Sequence, residues 1–414
     1  MINRVKNIWK KFVEWFRTKD TGTKVMGILF VIASLVGIDL LVEGITLNML
    51  PAHFVLLAIL AVVFLLAAVY FLIFGVYKTE GAKKFARCIG VALCLAVVFV
   101  GVGGITMINQ LQDALTSITK NEQDDENNSE AESQDELDMS ELSEITKEPF
   151  ILYISGTDTS QSLEHMRSDV NILAVVNPVT KQVLLVNTPR DYYVEISVAE
   201  NGERDKLTHC GIYGLDCSID TLSNLYGKEI GYSAQINFAG FVNLIDSIGG
   251  IYVNNEQEFT AYSGYCFKQG EIYLNGALAL DYVRERKSFE EGDNVRGQHQ
   301  MAVIKAVIDK LSSGALLANY SDILENMDAC FSCDLTQKEI ASLVKMQLYD
   351  LATWNVKSYG VTGEDAASTT YSIPDTSVYV MLPNEASVQH ATLLMDKVIS
   401  GQILTDEDLV VPAP

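Results

Sequence analysis

Three long apolar runs in the first quarter of the chain limit what it can fold into more than any other feature. They cover Val25–Leu47, Phe54–Tyr77 and Phe85–Ile108, each about the 20 residues needed to cross a hydrocarbon core. One such run could be a buried helix of a soluble domain, but three in close succession read as membrane spans. A cleaved signal peptide is disfavoured: the first run is too long, lacks a small-residue cleavage site and precedes two more spans. The same segregation explains how 414 residues that are 49% hydrophobic also carry a formal net charge of −23. Apolar spans occupy one region and acidic, solvated sequence another.

Basic residues orient the spans. Arg4, Lys6, Lys10, Lys11, Arg17, Lys19 and Lys24 precede the first run, and Lys78, Lys83, Lys84 and Arg87 lie between the second and third. The loop around Pro51 has no lysine or arginine. The positive-inside rule therefore predicts a chain in a bacterial cell membrane with a cytoplasmic N-terminus and an extracytoplasmic C-terminal domain. Asp39 and Glu43 fall near the outer end of the first span, where they reach the headgroups, although an acid within a span can also mark an ion path. The acidic balance excludes nucleic-acid binding through the overall field, but not an anion held by a local arginine cluster.

The predicted organisation is a basic tail (1–24), three transmembrane helices (25–108), an acidic flexible linker (109–148), an outer domain (149–401) and a loose C-terminal tail (402–414). The linker run NEQDDENNSEAESQDELDMSELSE has too little apolar surface to offset chain entropy, so a flexible or partly helical tether is expected. After Pro149 the pattern changes. PFILYISGTD, VNILAVVN and QVLLVNTPRD read as strands. SIDTLSNLYG, NFAGFVNLIDSIGG and Gln300–Leu311 read as helices, with further signals over Glu339–Asp350 and Thr376–Leu382. Together these predict an α/β domain: a mixed central sheet covered by helices as an αβα sandwich, preceded by the three spans. Phe238, Phe241, Val242 and Ile245 recur at helical spacing. Such a stripe is ordinary core in most proteins, and a groove for an apolar ligand is the other reading.

Seven cysteines occur, at 88, 94, 210, 217, 266, 330 and 333. The first two lie in the spans. Local pairs Cys210–Cys217 and Cys330–Cys333 with Cys266 left over form one scheme, but spacing does not fix connectivity. The CxxC at 330–333 has no second half to complete a zinc site.

Candidate chemistry gathers at predicted strand ends. Asp158 ends SGTD and Asp169 ends RSD, positions from which acids either share a hard cation such as Mg2+ or cap a turn. Arg190 follows QVLLVNTP; Arg284 and Arg286 lie in DYVRERK, and Arg296 and Gln300 in GDNVRGQHQ. If YVRER is extended, Arg284 and Arg286 share a face. Arginine's planar fork suits phosphate oxygens, while pairing with Asp281, Glu285 and Asp293 is the plainer account of any one of them. His209 in DKLTH can orient a loop or be a satisfied structural histidine, and His299 is a weaker candidate for substrate contact. No GxSxG elbow, phosphate-binding GxxxxGK[ST] loop or HExxH pair occurs.

In order and spacing, SGTD, RSD, NTPRD, DKLTH, LNGALALDYVRERK and DNVRGQHQ together resemble the LytR–CpsA–Psr family of cell-wall proteins, from about Phe150 through Leu311 and more loosely to about Gly401. The resemblance implies a phosphotransferase that attaches an anionic glycopolymer, such as teichoic acid or capsule, from a polyprenyl diphosphate carrier to peptidoglycan. Residue by residue it implies Mg2+ at Asp158 and Asp169, and a diphosphate clamp of Arg190, Arg284, Arg286, Arg296 and Gln300. Asp158, Asp169, Arg190, Arg284 and Arg286 would be the catalytic set. The chain departs from the family where His299-Gln300-Met301 replaces the common RQQ and where Gly214-Leu215 replaces a common Gly-Gly. Two other readings use the same arginines: a non-catalytic, membrane-anchored polyanion binder that regulates wall assembly, and a hydrolase that passes the phosphoryl group to water.

Overall fold

The structure is a computed structural model that describes residues 21–46, 52–118, 143–157, 166–289, 292–312 and 331–410. Its two compact units are residues 1–112 and 113–414. The first contains α1 (Thr21–Thr46), α2 (Ala52–Phe74) and α3 (Glu80–Ile118). All three helices are long and apolar enough to cross a membrane. They meet through Ala33, Val69, Ile73 and Cys94, and Gly90 lets α3 approach α2: a Cβ there would lie 2.7 Å from Ile73. The third helix exceeds the apolar run Phe85–Ile108 at both ends and carries helical backbone into the acidic segment as far as Ile118.

The second unit opens with β1 (Phe150–Thr157), β2 (Ser168–Asn177) and β3 (Gln182–Asn187). A short ribbon, β4 (Tyr193–Glu195) and β5 (Arg204–Lys206), leads into α4 (Leu207–Cys210) and α5 (Leu215–Tyr226). Next come β6 (Tyr232–Asn237), α6 (Phe238–Ser247) and β7 (Ile251–Asn255). The two-residue strands β8 (Phe259–Thr260) and β9 (Cys266–Phe267) precede β10 (Gly270–Leu274), α7 (Gly276–Arg284) and α8 (Gly292–Lys310). The remainder is β11 (Phe331–Cys333), α9 (Gln337–Asp350), β12 (Asn355–Gly360), the hairpin β13 (Gly363–Thr370) and β14 (Ile373–Pro383), and α10 (Glu385–Ile399).

Six strands form the central sheet in the order β11-β6-β1-β2-β3-β12. It is mixed: β1 pairs antiparallel with β2 and parallel with β6, and β3 pairs parallel with β12. The near-continuous apolar runs of β2 and β3 follow from burial on both faces. Along β3 the side chains alternate. Leu184 and Val186 enter a core with Leu222 and Tyr226 of α5 and Leu394 and Met395 of α10. Val183 and Leu185 enter the opposite core with Met301 of α8. This is the predicted mixed sheet between helical layers.

The expected loose tail, 402–414, is folded over its described part, and residues 411–414 lie outside the described residues. Leu404 is buried in the α5–α10 core, and Gln182 clasps the segment by donating to the Gln402 carbonyl and accepting from the Leu404 amide. Residues through Val410 therefore belong to the folded domain. Cys88, Cys94, Cys266 and the buried Cys210 and Cys217 are free thiols, so the first local pairing does not form. Cys330 lies outside the described residues, so the second local pairing is untouched by this observation.

Candidate functional site

Two chain reversals and one helix bring charge to the same end of the sheet. After β3 the segment Thr188–Asp191 turns, its Thr188 amide bonded to the Asn171 carbonyl of β2. This places Arg190 beside Asp169, the second residue of β2, with Nη1 donating to Oδ1 at 2.6 Å. Arg190 Nε donates to Asp191 Oδ2 (3.3 Å), and Lys206 Nζ of β5 donates to Asp191 Oδ1 (2.8 Å). Burial would lower the Arg190 pKa; the carboxylates of Asp169, Asp191 and Asp293 outweigh it and raise it.

The helix α8 supplies the second part. Gly297 lets the helix come close to the sheet: a Cβ there would stand 2.3 Å from the side-chain Nδ2 of Asn187 at the end of β3 and would push that amide aside. That close approach seats Arg296 and Gln300, both buried. Arg296 Nη2 donates to Asp293 Oδ2 at 3.2 Å, and Arg286 reaches Asp293 Oδ1 at 3.9 Å. Arg296 Nε is buried with no hydrogen-bond partner. Burial lowers its pKa, and the nearby cations Arg190 and Arg286 add to the effect against the pull of Asp293 and Asp169. A buried guanidinium with an unfilled donor among like charges is poised to hold an anion.

Arg284 and Arg286 do not share a strand face. Asn275 caps α7 through the Leu278 amide, and the buried positions Ala279, Tyr282 and Val283 follow helical spacing through to Arg284. Glu285 then turns extended. Its carboxylate, 5% exposed, accepts from the amides of Tyr262 (2.8 Å), Arg286 (3.1 Å) and Ser288 (3.0 Å). Burial would raise the Glu285 pKa, and these donors hold it below the usual carboxylate range. Glu285 thus fixes the loop that carries Arg286. Arg284 leaves in another direction, its guanidinium 4.5 Å from the centre of the Phe238 ring.

That ring marks an apolar pocket of about 90 Å³ between the sheet and α6–α8. Phe238, Phe241, Leu280, Val283 and Ile304 line it, and Gln300 is the one long polar side chain on its wall. The stripe that reads first as core is therefore divided. Ile245 is buried, whereas Phe238 and Phe241 face the pocket. Gln300 also reaches the Val283 carbonyl at 3.5 Å.

The two histidines have structural positions. His209 Nδ1 lies 2.6 Å from Asp205 Oδ1 and 2.8 Å from Ser372 Oγ, and Ser372 N donates to Asp205 Oδ2. DKLTH thereby ties the ribbon to the β13–β14 turn, and Thr208 N donates to the Arg190 carbonyl behind the clamp. His299 stacks on Tyr282 (4.0 Å) and Phe259 (5.2 Å), and burial pushes its pKa down to about 4. It faces an aromatic cluster and not the arginines.

Asp158 lies outside the described residues. Among those described, no group of three His, Cys, Asp or Glu is arranged to hold a metal. Thr157 Oγ1, at the end of β1, is buried without a partner, and Thr157 pairs with Ser168, the residue before Asp169, on the adjacent strand. Hydroxyl and carboxylate oxygens suit a hard cation such as Mg2+. Sequence reasoning leaves Asp191 and Lys206 unassigned and reads Glu285 as an ion-pair partner of the arginines, although all three sit inside the motifs NTPRD, DKLTH and VRERK.

Residues 106–390 match the model of the LytR_cpsA_psr family. A polyisoprenyl-teichoic acid–peptidoglycan teichoic acid transferase TagU of Enterococcus faecalis is 34% identical over 261 residues, covering 62% of this chain and 81% of its own. The protein of the same name from Bacillus mycoides is 34% identical over 207 residues, covering 50% and 67%. Among solved structures, TagT bound to LIIa-WTA has a TM-score of 0.51 at 26% identity and covers 64% of this chain and 94% of that one. B. subtilis TagV has a TM-score of 0.52 at 24% identity, covering 62% and 99%, a likeness of fold alone.

Proposed function

The chain belongs to the LytR–CpsA–Psr family, and from that premise we propose that it is a transferase that moves an anionic glycopolymer, of teichoic acid or capsule type, from a polyprenyl diphosphate carrier to peptidoglycan. The observation that carries this reading is the adjoining of two unlike surfaces. A buried guanidinium, Arg296, with an unfilled donor stands one helical turn from Gln300, which walls the apolar pocket. A lipid diphosphate has the same two-part chemistry, a polyanion joined to a hydrocarbon chain. On this reading Arg190, Arg286 and Arg296 hold the diphosphate oxygens, Arg284 and Gln300 stand at the passage to the pocket, and Phe238 and Phe241 receive the first isoprene units. The spans anchor the chain with its N-terminus in the cytoplasm, so that the domain meets the carrier on the outer side of the membrane.

In the reaction a sugar hydroxyl of peptidoglycan attacks the polymer-side phosphorus, a new P–O bond forms, and polyprenyl phosphate leaves with the electron pair of the broken bond. The hydroxyl proton passes to Asp169 or Asp158. Phosphoryl transfer asks the protein chiefly for positioning and for stabilisation of charge on the phosphate oxygens. The clamp is preorganised for that by Asp169, Asp191 and Asp293, which hold the guanidiniums in place before substrate arrives. Asp158 and Asp169 would hold Mg2+, which when bound would neutralise charge on the diphosphate.

The test is transfer by the full-length protein in detergent, with a short polyprenyl-diphosphate-linked glycopolymer as donor and peptidoglycan oligomers as acceptor. Arg190→Ala is expected to lower the rate by about two to three orders of magnitude, and EDTA to abolish it. An unchanged rate in Arg190→Ala would remove the clamp assignment. Release of free phosphorylated polymer in place of a conjugate would make the protein a hydrolase.

A further inference from the structure

Transfer to a hydroxyl places the incoming and leaving oxygens roughly in line through phosphorus. The acceptor must therefore enter from the side opposite the departing lipid. The apolar pocket lies on the α8 face of the sheet, where Ile154, Val170 and Ile304 contribute to its wall. The other side of the clamp is the β4–β5 ribbon, whose Val194 packs into the α5–α10 core. Tyr193 stands opposite Lys206 and Glu195 opposite Arg204. Alternation along a strand puts all four side chains on one face of the ribbon. Lys206 is bonded to Asp191 of the clamp, and this face packs on the β13–β14 hairpin, Lys206 over the Tyr379 ring and the Tyr193 hydroxyl donating to the Thr369 carbonyl. The ribbon thereby leads from the clamp past Tyr193 to the Glu195–Arg204 pair.

It ends in a groove of about 410 Å³. Leu225 and Val388 give it an apolar floor; Tyr193, Glu195, Arg204, Asn224 and Gln389 surround that floor with an aromatic ring, two amides and charged groups. We propose that this groove is the subsite for the acceptor, binding the amino-sugar backbone of peptidoglycan; the assignment rests on the transferase reading above. A pyranose ring has apolar C–H faces and a polar perimeter, which match an aromatic and aliphatic floor rimmed by amides and carboxylates. The charge decides between the two polymers that the reaction brings together. Glu195 and Glu385 against Arg204 give the lining two carboxylates and one guanidinium. This disfavours a donor polymer with a phosphate in every repeat more than a glycan backbone whose N-acetylglucosamine units are neutral and whose muramic acids carry one carboxylate each. Donor lipid and acceptor sugar thus occupy opposite sides of one sheet, with the diphosphate held between them.

Asn224 is exposed on α5, so Asn224→Trp fills the groove without touching the core, and Gln389→Ala removes one rim amide with no added bulk. The probe is a β-linked N-acetylglucosamine–N-acetylmuramic acid tetrasaccharide added to the full-length protein in detergent. Asn224→Trp is expected to raise the KM for this acceptor about tenfold, a loss of about 1.4 kcal/mol of binding, and Gln389→Ala to raise it less. The KM for the lipid-linked donor and its hydrolysis by water should not change. Direct titration of the tetrasaccharide, followed by the fluorescence of the introduced or native aromatic residues, reads the groove without any catalysis. Wild-type binding that is weakened in both variants supports the assignment. Unchanged acceptor binding in both folded variants overturns it, as does a raised donor KM. A wild-type protein that binds the tetrasaccharide but transfers nothing would sink the transferase reading and leave the groove standing.

Discussion

The two faces of the central sheet are made from the same strands, yet they are finished differently. Toward α5 and α10, Leu173, Val175, Leu184 and Val186 are fully buried and the layer is sealed down to Leu404 near the C-terminus. Toward α6–α8, Ile154 and Val170 are only partly buried and the layer opens into the pocket walled by Phe238 and Phe241. On the first side the layer against the sheet is closed and contributes stability, and the groove between α5, α10 and the ribbon is lined by none of the central strands. On the second side the sheet itself gives up some burial in exchange for a place to bind. The charge follows the same division. Asp205, fully buried, is satisfied by His209 and two backbone amides, whereas Arg296 on the open side retains an unpartnered donor.

The largest effects should separate these two roles. Arg296→Met keeps the length of the side chain and removes a buried charge. Transfer is expected to fall by about two to three orders of magnitude, while the melting temperature stays level or rises, because a buried cation among like charges opposes folding. A variant that loses activity only by unfolding would break the comparison. On the sealed face Leu184→Ala should do the reverse. It leaves a cavity and costs about 2–5 kcal/mol of stability by denaturant titration, with donor and acceptor KM unchanged at temperatures where the protein remains folded.

The sequence made the sealed face legible and the open face only partly so. Continuous apolar runs such as VLLV at 183–186, β-branched at both ends and bounded by polar residues, read as strands buried on both sides, and the arginines stood out because several recur at successive element ends. What escaped depends on pairings that spacing does not encode. The Asp191–Lys206 contact exists because the ribbon folds back with Tyr193 opposite Lys206. Glu285 sits between two arginines and reads as their ion-pair partner, but its carboxylate is spent on backbone amides. Arg284 and Arg286 separate because helix α7 ends between them. The Phe238–Ile245 stripe is a single periodic pattern with two fates, and only the position of α7 and α8 decides which residue meets a pocket.

His299 offers a way to measure what the open side gives up. Its pKa falls from 6.5 to about 4 on burial, so between those values the unfolded chain binds a proton that the native one does not. Stability therefore declines as pH drops from above 6.5 toward 4, and is undiminished above 6.5. The depression corresponds to about 3 kcal/mol across that window. His299→Phe keeps a ring between Tyr282 and Phe259, and should flatten this limb of the stability–pH curve. A curve that keeps its slope in the variant would assign the loss to the carboxylates.

The finest test compares two residues one turn apart on α6. Ile245 is completely buried and Phe241 lines the pocket. Ile245→Ala creates a cavity and should cost about 2–5 kcal/mol. Phe241→Ala enlarges a space that already exists, so fewer neighbouring atoms lose contacts and the cost should be about 1 kcal/mol, despite the larger side chain removed. Its signature lies in function: the KM for the lipid-linked donor rises about fivefold, or about 1 kcal/mol of binding, and the acceptor KM is unmoved. If Phe241→Ala is as destabilising as Ile245→Ala and leaves the donor KM alone, the stripe is core along its whole length and the lipid enters elsewhere. If the small stability cost and the donor effect appear together, the opening between α6, α7 and α8 is where the carrier binds, and the two faces of the sheet have the separate tasks that their packing implies.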